Sequence, residues 1–285
     1  MIKDLLVHLD ASDDGAHRLL LSARLAGQHG ARLTGLCVRD QSVAELAALK
    51  TAELGLAPAA EVSALKALFD RATRDQLAST RERFDSVCRA AGVSAEWRCE
   101  DGQAARIVPR HARYADLTMI GQDRSGDDRM PYAGPVTERT LFLSGRPAII
   151  VPGQLRPETL ASRIVVAWDA SRAAARAVND AIPLIARAAL TTVVTVRPIV
   201  SDDAHGEEPG ADIGAHLSRH GAHVTTIELR DSGNAGDMLL SYARQINADL
   251  IVAGCYGHSR VGEILLGGVT RRLLAQGSKP VMMSY

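Results

Sequence analysis

The stretch GCYGHSRVGEILLGGVT, residues 254–270, carries four glycines of interest: Gly254, Gly257, Gly267 and Gly268. A residue without Cβ lets backbone N–H groups approach a ligand closely and tolerates positive φ. Gly267 and Gly268 stand before VTRRLLAQ, a helix-like run whose first N–H groups lack internal partners and carry the positive end of the helix dipole. Such a helix start suits an anion, with the Thr270 hydroxyl and Arg271 or Arg272 able to help. Upstream, Asp169 closes the apolar run RIVVAWD, and its carboxylate can accept a hydrogen bond from a base amine or a ribose hydroxyl. A glycine loop alone reads equally well as a flexible connection. The acidic strand end and the helix start favour a phosphate cradle.

Other chemistry-bearing groups are weaker. His216, His220 and His223 have the H-x3-H-x2-H spacing of a helical metal pair. Gly221 breaks that helix, and no Cys or acidic ligand lies at convincing spacing, so a solvated helix end is the better reading. Cys255 lies in the glycine loop and would be redox-sensitive if a helix end lowered its pKa; an inert small side chain is the plainer reading. Asp123, Asp127 and Asp128 fit a solvated loop better than a cation site. The chain has neither a G-x-S-x-G elbow nor a G-x4-G-K-[ST] loop, and no catalytic acid/base pair announces itself.

The elements that must position these groups occur twice. MIKDLLVHLDAS is echoed by SRIVVAWDAS, with Asp10-Ala11-Ser12 matching Asp169-Ala170-Ser171. ADLTMIG (115–121) matches ADLIVAG (248–254), and GPVTERTLFLSGRPAII (134–150) matches GGVTRRLLAQGSKPVMM (267–283). The closing segments align at a constant offset of 133 residues and the opening ones at 159, so the first half carries about 26 extra residues. Short Val/Ile runs mark strands buried on both faces, and Ala/Leu-rich stretches between them have helical spacing. The pattern predicts two tandem open parallel five-stranded sheets with flanking helices, a Rossmann-like α/β fold, over 1–153 and 162–285. GQLRPETLA (153–161) reads as the joint.

The extra material falls within about 40–90. There Val62, Leu65, Phe69, Ala72, Leu77, Phe84 and Val87 form a helical apolar stripe, read as a lid on the first core or as an arm for another subunit. The last strands, RPAIIVP (146–152) and KPVMMS (279–284), are apolar edges, and edges of this kind invite each other. The two domains are therefore expected to pair through them, and a homodimer is a further expectation.

In an open parallel sheet ligands collect beyond the carboxyl ends of the strands, where strand order reverses. Asp169 and Gly254 would end neighbouring strands there. At this point V-x-W-D-x-S, A-D-L-I-V-x-G-x2-G-x9-G and the terminal KPVMM together resemble the universal stress protein family. The likeness extends over both halves, as in a tandem member, and implies the adenine-nucleotide α-hydrolase-like fold. It implies ATP, with or without Mg2+, held in the second half by Ala167, Asp169, Val196 and Ala253 near adenine and ribose. Gly257, Gly267, Gly268 and Thr270 would line the phosphates, and Gly254, Tyr256 and Val269 complete the nucleotide-binding set. Where the family's ATP-binding pattern has Ser or Thr after the third glycine, this chain has Gly268. The missing hydrogen bond to a charged group is worth about 1.5–3 kcal/mol. The first half departs further: Arg124 replaces the glycine matching Gly257, Pro135 replaces Gly268, and three aspartates repel an anion. It reads as a partner domain without nucleotide.

Composition sets the remaining expectations. Lys plus Arg and Asp plus Glu are 33 each in 285 residues, so net charge gives no reason to expect nucleic acid. No apolar run reaches the length of a membrane helix, the N-terminus reads as a strand, and four scattered cysteines suit reduced thiols in a cytoplasm. The functional expectation is an ATP-binding stress-response module acting through contacts with an unknown protein partner. An interaction scaffold without nucleotide, or a slow ATP hydrolase, are its alternatives. No catalytic residue and no metal ligand is assigned.

Overall fold

The apolar runs become strands and the Ala/Leu stretches become helices, alternating within each half. The computed structural model describes residues 1–39, 58–122, 135–153, 159–196, 208–230, 234–255, 268–275 and 279–285. The first half runs β1 (Asp4–Leu9), α1 (Asp13–His29), β2 (Arg32–Arg39), α2 (Ala59–Ala90), β3 (Ala95–Asp101), α3 (Ala104–Ala112), β4 (Leu117–Gly121), α4 (Pro135–Ser144) and β5 (Ala148–Val151). The second half repeats the order: β6 (Arg163–Ala167), α5 (Arg172–Ile185), β7 (Leu190–Val196), α6 (Ala211–Arg219), β8 (Val224–Leu229), α7 (Ala235–Gln245), β9 (Leu250–Gly254), α8 (Gly268–Ala275) and β10 (Val281–Ser284). Ser12 and Ser171 start α1 and α5 alike. Each hydroxyl accepts a backbone N–H one turn on, from Gly15 at 3.0 Å and from Ala174 at 3.1 Å.

The two expected five-stranded sheets are one ten-stranded sheet, in the order β3-β2-β1-β4-β5-β10-β9-β6-β7-β8. All neighbours within a half are parallel, and the join is antiparallel, with Val281 opposite Ile150, Met282 opposite Ile149 and Met283 opposite Ala148. The two apolar edges bury each other: Ile149 and Met283 are both fully buried. Further contacts tie the halves. The Gln122 amide donates to the Leu274 carbonyl at the end of α8, and Phe142 meets Tyr285 edge-on at 4.9 Å.

The repeated Ala-Asp-Leu has a structural duty at the amino ends of the strands. The Asp249 carboxylate accepts from the Thr159 hydroxyl at 2.6 Å and from the Ser162 and Arg163 N–H groups at 3.1 and 2.9 Å. Asp116 does the same for the N–H groups of Lys3 and Asp4. Leu160 and Ala161 are buried, so this part of the expected joint is packed against the second half.

The lid expected over the first core is realised only at the end of α2. This helix has 32 residues, about 48 Å. Thr80, Phe84 and Cys88 are buried, and Phe84 lies over Gly35 and against Trp97 with ring centroids 5.4 Å apart. The crossover is antiparallel to the strands, so residues N-terminal to Thr80 run past the carboxyl end of the sheet. With no strand beneath them, Leu68 and Ala72 are exposed and Leu77 is half-buried. The segment 40–57 lies outside the described residues, and so do the side chains of Val62, Leu65 and Phe69.

Candidate functional site

Strand order reverses between β6 and β9, because β6 is flanked by β7 on one side and β9 on the other. Their carboxyl ends are level: Ala167 is opposite Ala253 and Val194. Two residues on, Asp169 is exposed and its Oδ1 accepts the Ser171 N–H at 3.0 Å. Ala170 between them has φ of 57°, a left-handed conformation that costs a residue with a Cβ about 1–2 kcal/mol. This strained turn leads directly into α5 and presents Asp169 at the mouth. Ala167, Asp169, Val196, Ala253 and Gly254 thus all fall at the carboxyl ends of adjacent strands, and Gly268, Val269 and Thr270 open α8. Tyr256, Gly257 and Gly267 lie outside the described residues.

Two sequence assignments change. Gly254 was read as leaving room for a ligand and for positive φ, but the missing Cβ makes room for a helix. A Cβ there would stand 2.5 Å from the Ala173 carbonyl carbon and the Ala174 nitrogen, in the first turn of α5. Gly254 is not among the positive-φ residues. Thr270 and Arg272 were read as helpers at the phosphate end. Thr270 is 5% exposed, and the Arg272 guanidinium is engaged by Asp237 of α7. At Gly268 a Cβ would meet nothing within 4 Å among the described residues. Cys255 is fully buried, its thiol donates to the Ser284 carbonyl at 3.0 Å, and burial pushes its pKa up to about 12. It is a core residue.

The equivalent crevice of the first half holds a side chain that sequence reasoning missed. Arg18 of α1 is 2% exposed; its Nε donates to the His8 carbonyl at 2.8 Å and its Nη2 to Asp10 Oδ2 at 2.9 Å. A Cβ on Gly121, at the end of β4, would stand 2.4 Å from Arg18 Nη1. The guanidinium therefore lies in the angle between β1 and β4, and the acidic strand end is already bonded to it and to Ser12. Burial raises the Asp10 pKa, but Arg18 and the Ser12 hydrogen bonds outweigh burial, and the net effect is a lowered value. What remains is an open cavity of about 260 Å3 lined by His8, Asp10, Ser12, Arg18 and Gln122. At the offset that aligns Asp10 with Asp169, Arg18 corresponds to Ala177 and His8 to Ala167. The signal was legible: Arg18 falls on the apolar stripe of α1, where its counterpart is alanine. Arg124 and the three loop aspartates, on which the sequence argument rested, lie outside the described residues.

His8 makes this crevice pH-sensitive. Burial, and then the charge of Arg18, lower its pKa from 6.5 to about 4. A base whose pKa is lower when folded leaves the unfolded chain binding more protons between those values, so stability is complete above pH 6.5 and falls towards pH 4. Full linkage would give about 3 kcal/mol. Because the imidazole keeps some solvent contact, about 2 kcal/mol is expected between pH 7 and 4.5. Urea unfolding across that range should show the loss, and His8→Asn should flatten it. An equal slope in the variant would assign the effect elsewhere.

His216 of α6 and His220, the residue that caps its carboxyl end, contact each other, with ring centroids at 4.7 Å. Among the described residues no group of three His, Cys, Asp or Glu side chains is placed to hold a metal, and no helix is long and apolar enough to cross a membrane.

An open parallel sheet with helices on both faces and its crevices at the strand-order reversals defines a Rossmann-like α/β protein. Residues 161–284 match the model of the universal stress protein family. Solved structures extend the same fold to the whole chain. A universal stress protein from Archaeoglobus fulgidus DSM 4304 is similar at 17% identity over 98% of this chain and 97% of its own, with a TM-score of 0.70. A putative universal stress protein from Pseudomonas aeruginosa UCBPP-PA14 is similar at 14% identity over 99% and 93%, with a TM-score of 0.60. No curated protein matches the chain.

Proposed function

We propose that the second half binds an adenine nucleotide, ATP with or without Mg2+, and that the chain is a stress-response binding module whose pocket state alters its contacts with another protein. One observation carries the reading. Two copies of the same crevice differ at the strand-order reversal, where the first holds Arg18 and His8 and the second has Ala177 and Ala167 in their places. Asp169 then faces a crevice in which Ala177 stands where the first half has Arg18, and serves the base or the ribose. The phosphates run over Gly257 and Gly267 to the start of α8, where the open space at Gly268 leaves the first N–H groups approachable. The universal stress protein resemblance supports the same ligand. The domain division 1–153 and 162–285 belongs to this proposal, with the first domain a partner without nucleotide. The chain has no catalytic residue in this reading, and hydrolysis is at most slow.

Titration with Mg·ATP tests it: one nucleotide per chain is expected. Gly268→Ser should tighten binding by about tenfold, since the hydroxyl restored at the helix start is worth 1–2 kcal/mol after ordering costs, roughly. The side chain has room. Unchanged or weaker affinity would mean that the phosphates do not pass this residue.

A further inference from the structure

The sequence scatters its four cysteines, but the fold brings two of them together. Cys37 on β2 is the direct register partner of Cys99 on β3. Neighbouring strands lie about 4.8 Å apart, within the Cα separation of about 4.4–6.8 Å that a disulfide spans. Residues opposite one another in a ladder point to the same face. Here that is the face of α2, one pleat beyond Gly35 and Trp97, which Phe84 covers. The thiols are close enough that each helps set the other's ionisation. Cys99 is exposed and Cys37 half-buried, whereas Cys88 and Cys255 are buried. Cys37 also pairs with Leu9, the last residue of β1.

We propose that Cys37 and Cys99 are a modification site, joined reversibly as an intrachain disulfide by a hydroperoxide. Cys99 reacts first. It is the more exposed of the two; burial, with Asp101 adding to it, holds its thiol above the ordinary value, and Arg39, ion-paired to Asp101 one pleat further on, offsets only part of that. Its sulfur attacks the peroxide, an S–O bond forms as the O–O bond breaks, and hydroxide or alkoxide leaves with the electron pair. The resulting sulfenic acid is attacked by the Cys37 sulfur; the S–S bond forms, the S–O bond breaks, and the departing hydroxide takes the Cys37 proton as water. Two thiols and one hydrogen peroxide give one disulfide and two waters. Burial raises the Cys37 pKa to about 11, which makes it a slow attacker in bulk but matters less against a sulfur beside it. The product pins β3, which among the described residues is an edge strand paired only with β2, to the rest of the first half.

The test uses the full chain and hydrogen peroxide. Free thiols counted in denaturant should fall from four to two, and return to four with a thiol reductant. A non-reducing peptide map should show one Cys37–Cys99 link within a single chain, and amides of 95–101 should exchange at least tenfold more slowly after oxidation. In Cys37→Ser the Cys99 sulfenic acid should persist and be trapped by a dione probe. Four thiols remaining after oxidation, a link between chains, or a link through Cys88 or Cys255 would overturn the assignment.

Discussion

Gly254→Ala should destabilise the protein by about 3 kcal/mol, the upper end of the usual overpacking range. The new Cβ would stand 2.5 Å from two backbone atoms of Ala173 and Ala174, and a backbone cannot step aside as the tip of a flexible side chain can. Relief requires moving the start of α5 away from β9. That shift also disturbs the Ser171 cap and the left-handed turn at Ala170 that places Asp169. Gly268→Ala is the control: its Cβ meets nothing, and stability should change by less than about 0.5 kcal/mol. Urea midpoints of the two variants compare them directly. Equal and small losses would show that α5 does not press on β9 as described.

Ala177→Arg should weaken Mg·ATP binding at least 100-fold, about 2.7 kcal/mol. The substitution copies Arg18 into the second half, where the Ala167 carbonyl and the Asp169 carboxylate correspond to the partners Arg18 finds in His8 and Asp10. An arginine so held uses the carboxylate that the nucleotide needs and fills the angle between β6 and β9. Ala177 is fully buried, so the fold must be checked by circular dichroism and urea unfolding. Gly257→Arg supplies an independent route, because it copies Arg124 into the glycine-rich stretch and leaves Ala177 unchanged. It should produce a comparable loss in a chain of ordinary stability. If both variants fold and bind as before, the nucleotide does not occupy this crevice.

Much of the architecture was legible because it is written twice. Repeated apolar runs located the strands, and two apolar terminal runs pointed to the join of β5 with β10, whose antiparallel sense comes from the structure. The site was legible only as far as residue type constrains it. A glycine at the end of β9 records that a Cβ is not tolerated, but not whether a ligand or a helix stands there; at Gly254 it is the helix. The difference that distinguishes the crevices sits outside the glycine loop, on the helix after the first strand, where Arg18 stands against Ala177. The overhang of α2 was hidden for another reason. A helical apolar stripe from Val62 to Val87 reports a helix, but only the distance to Phe84, Gly35 and Trp97 tells where the sheet beneath it ends. Cys37 and Cys99, 62 positions apart in sequence, become neighbours only through the β2–β3 register.

The central claim is that one of two duplicated crevices takes nucleotide and that Arg18 closes the other. Hydrogen–deuterium exchange of the full chain with saturating Mg·ATP tests it in place. Protection is expected in peptides covering 167–171 and 254–275, with no change in those covering 8–18 and 121–137. Protection in the first set of peptides alone supports the account; protection confined to the first-half peptides, or absent from both sets, contradicts it.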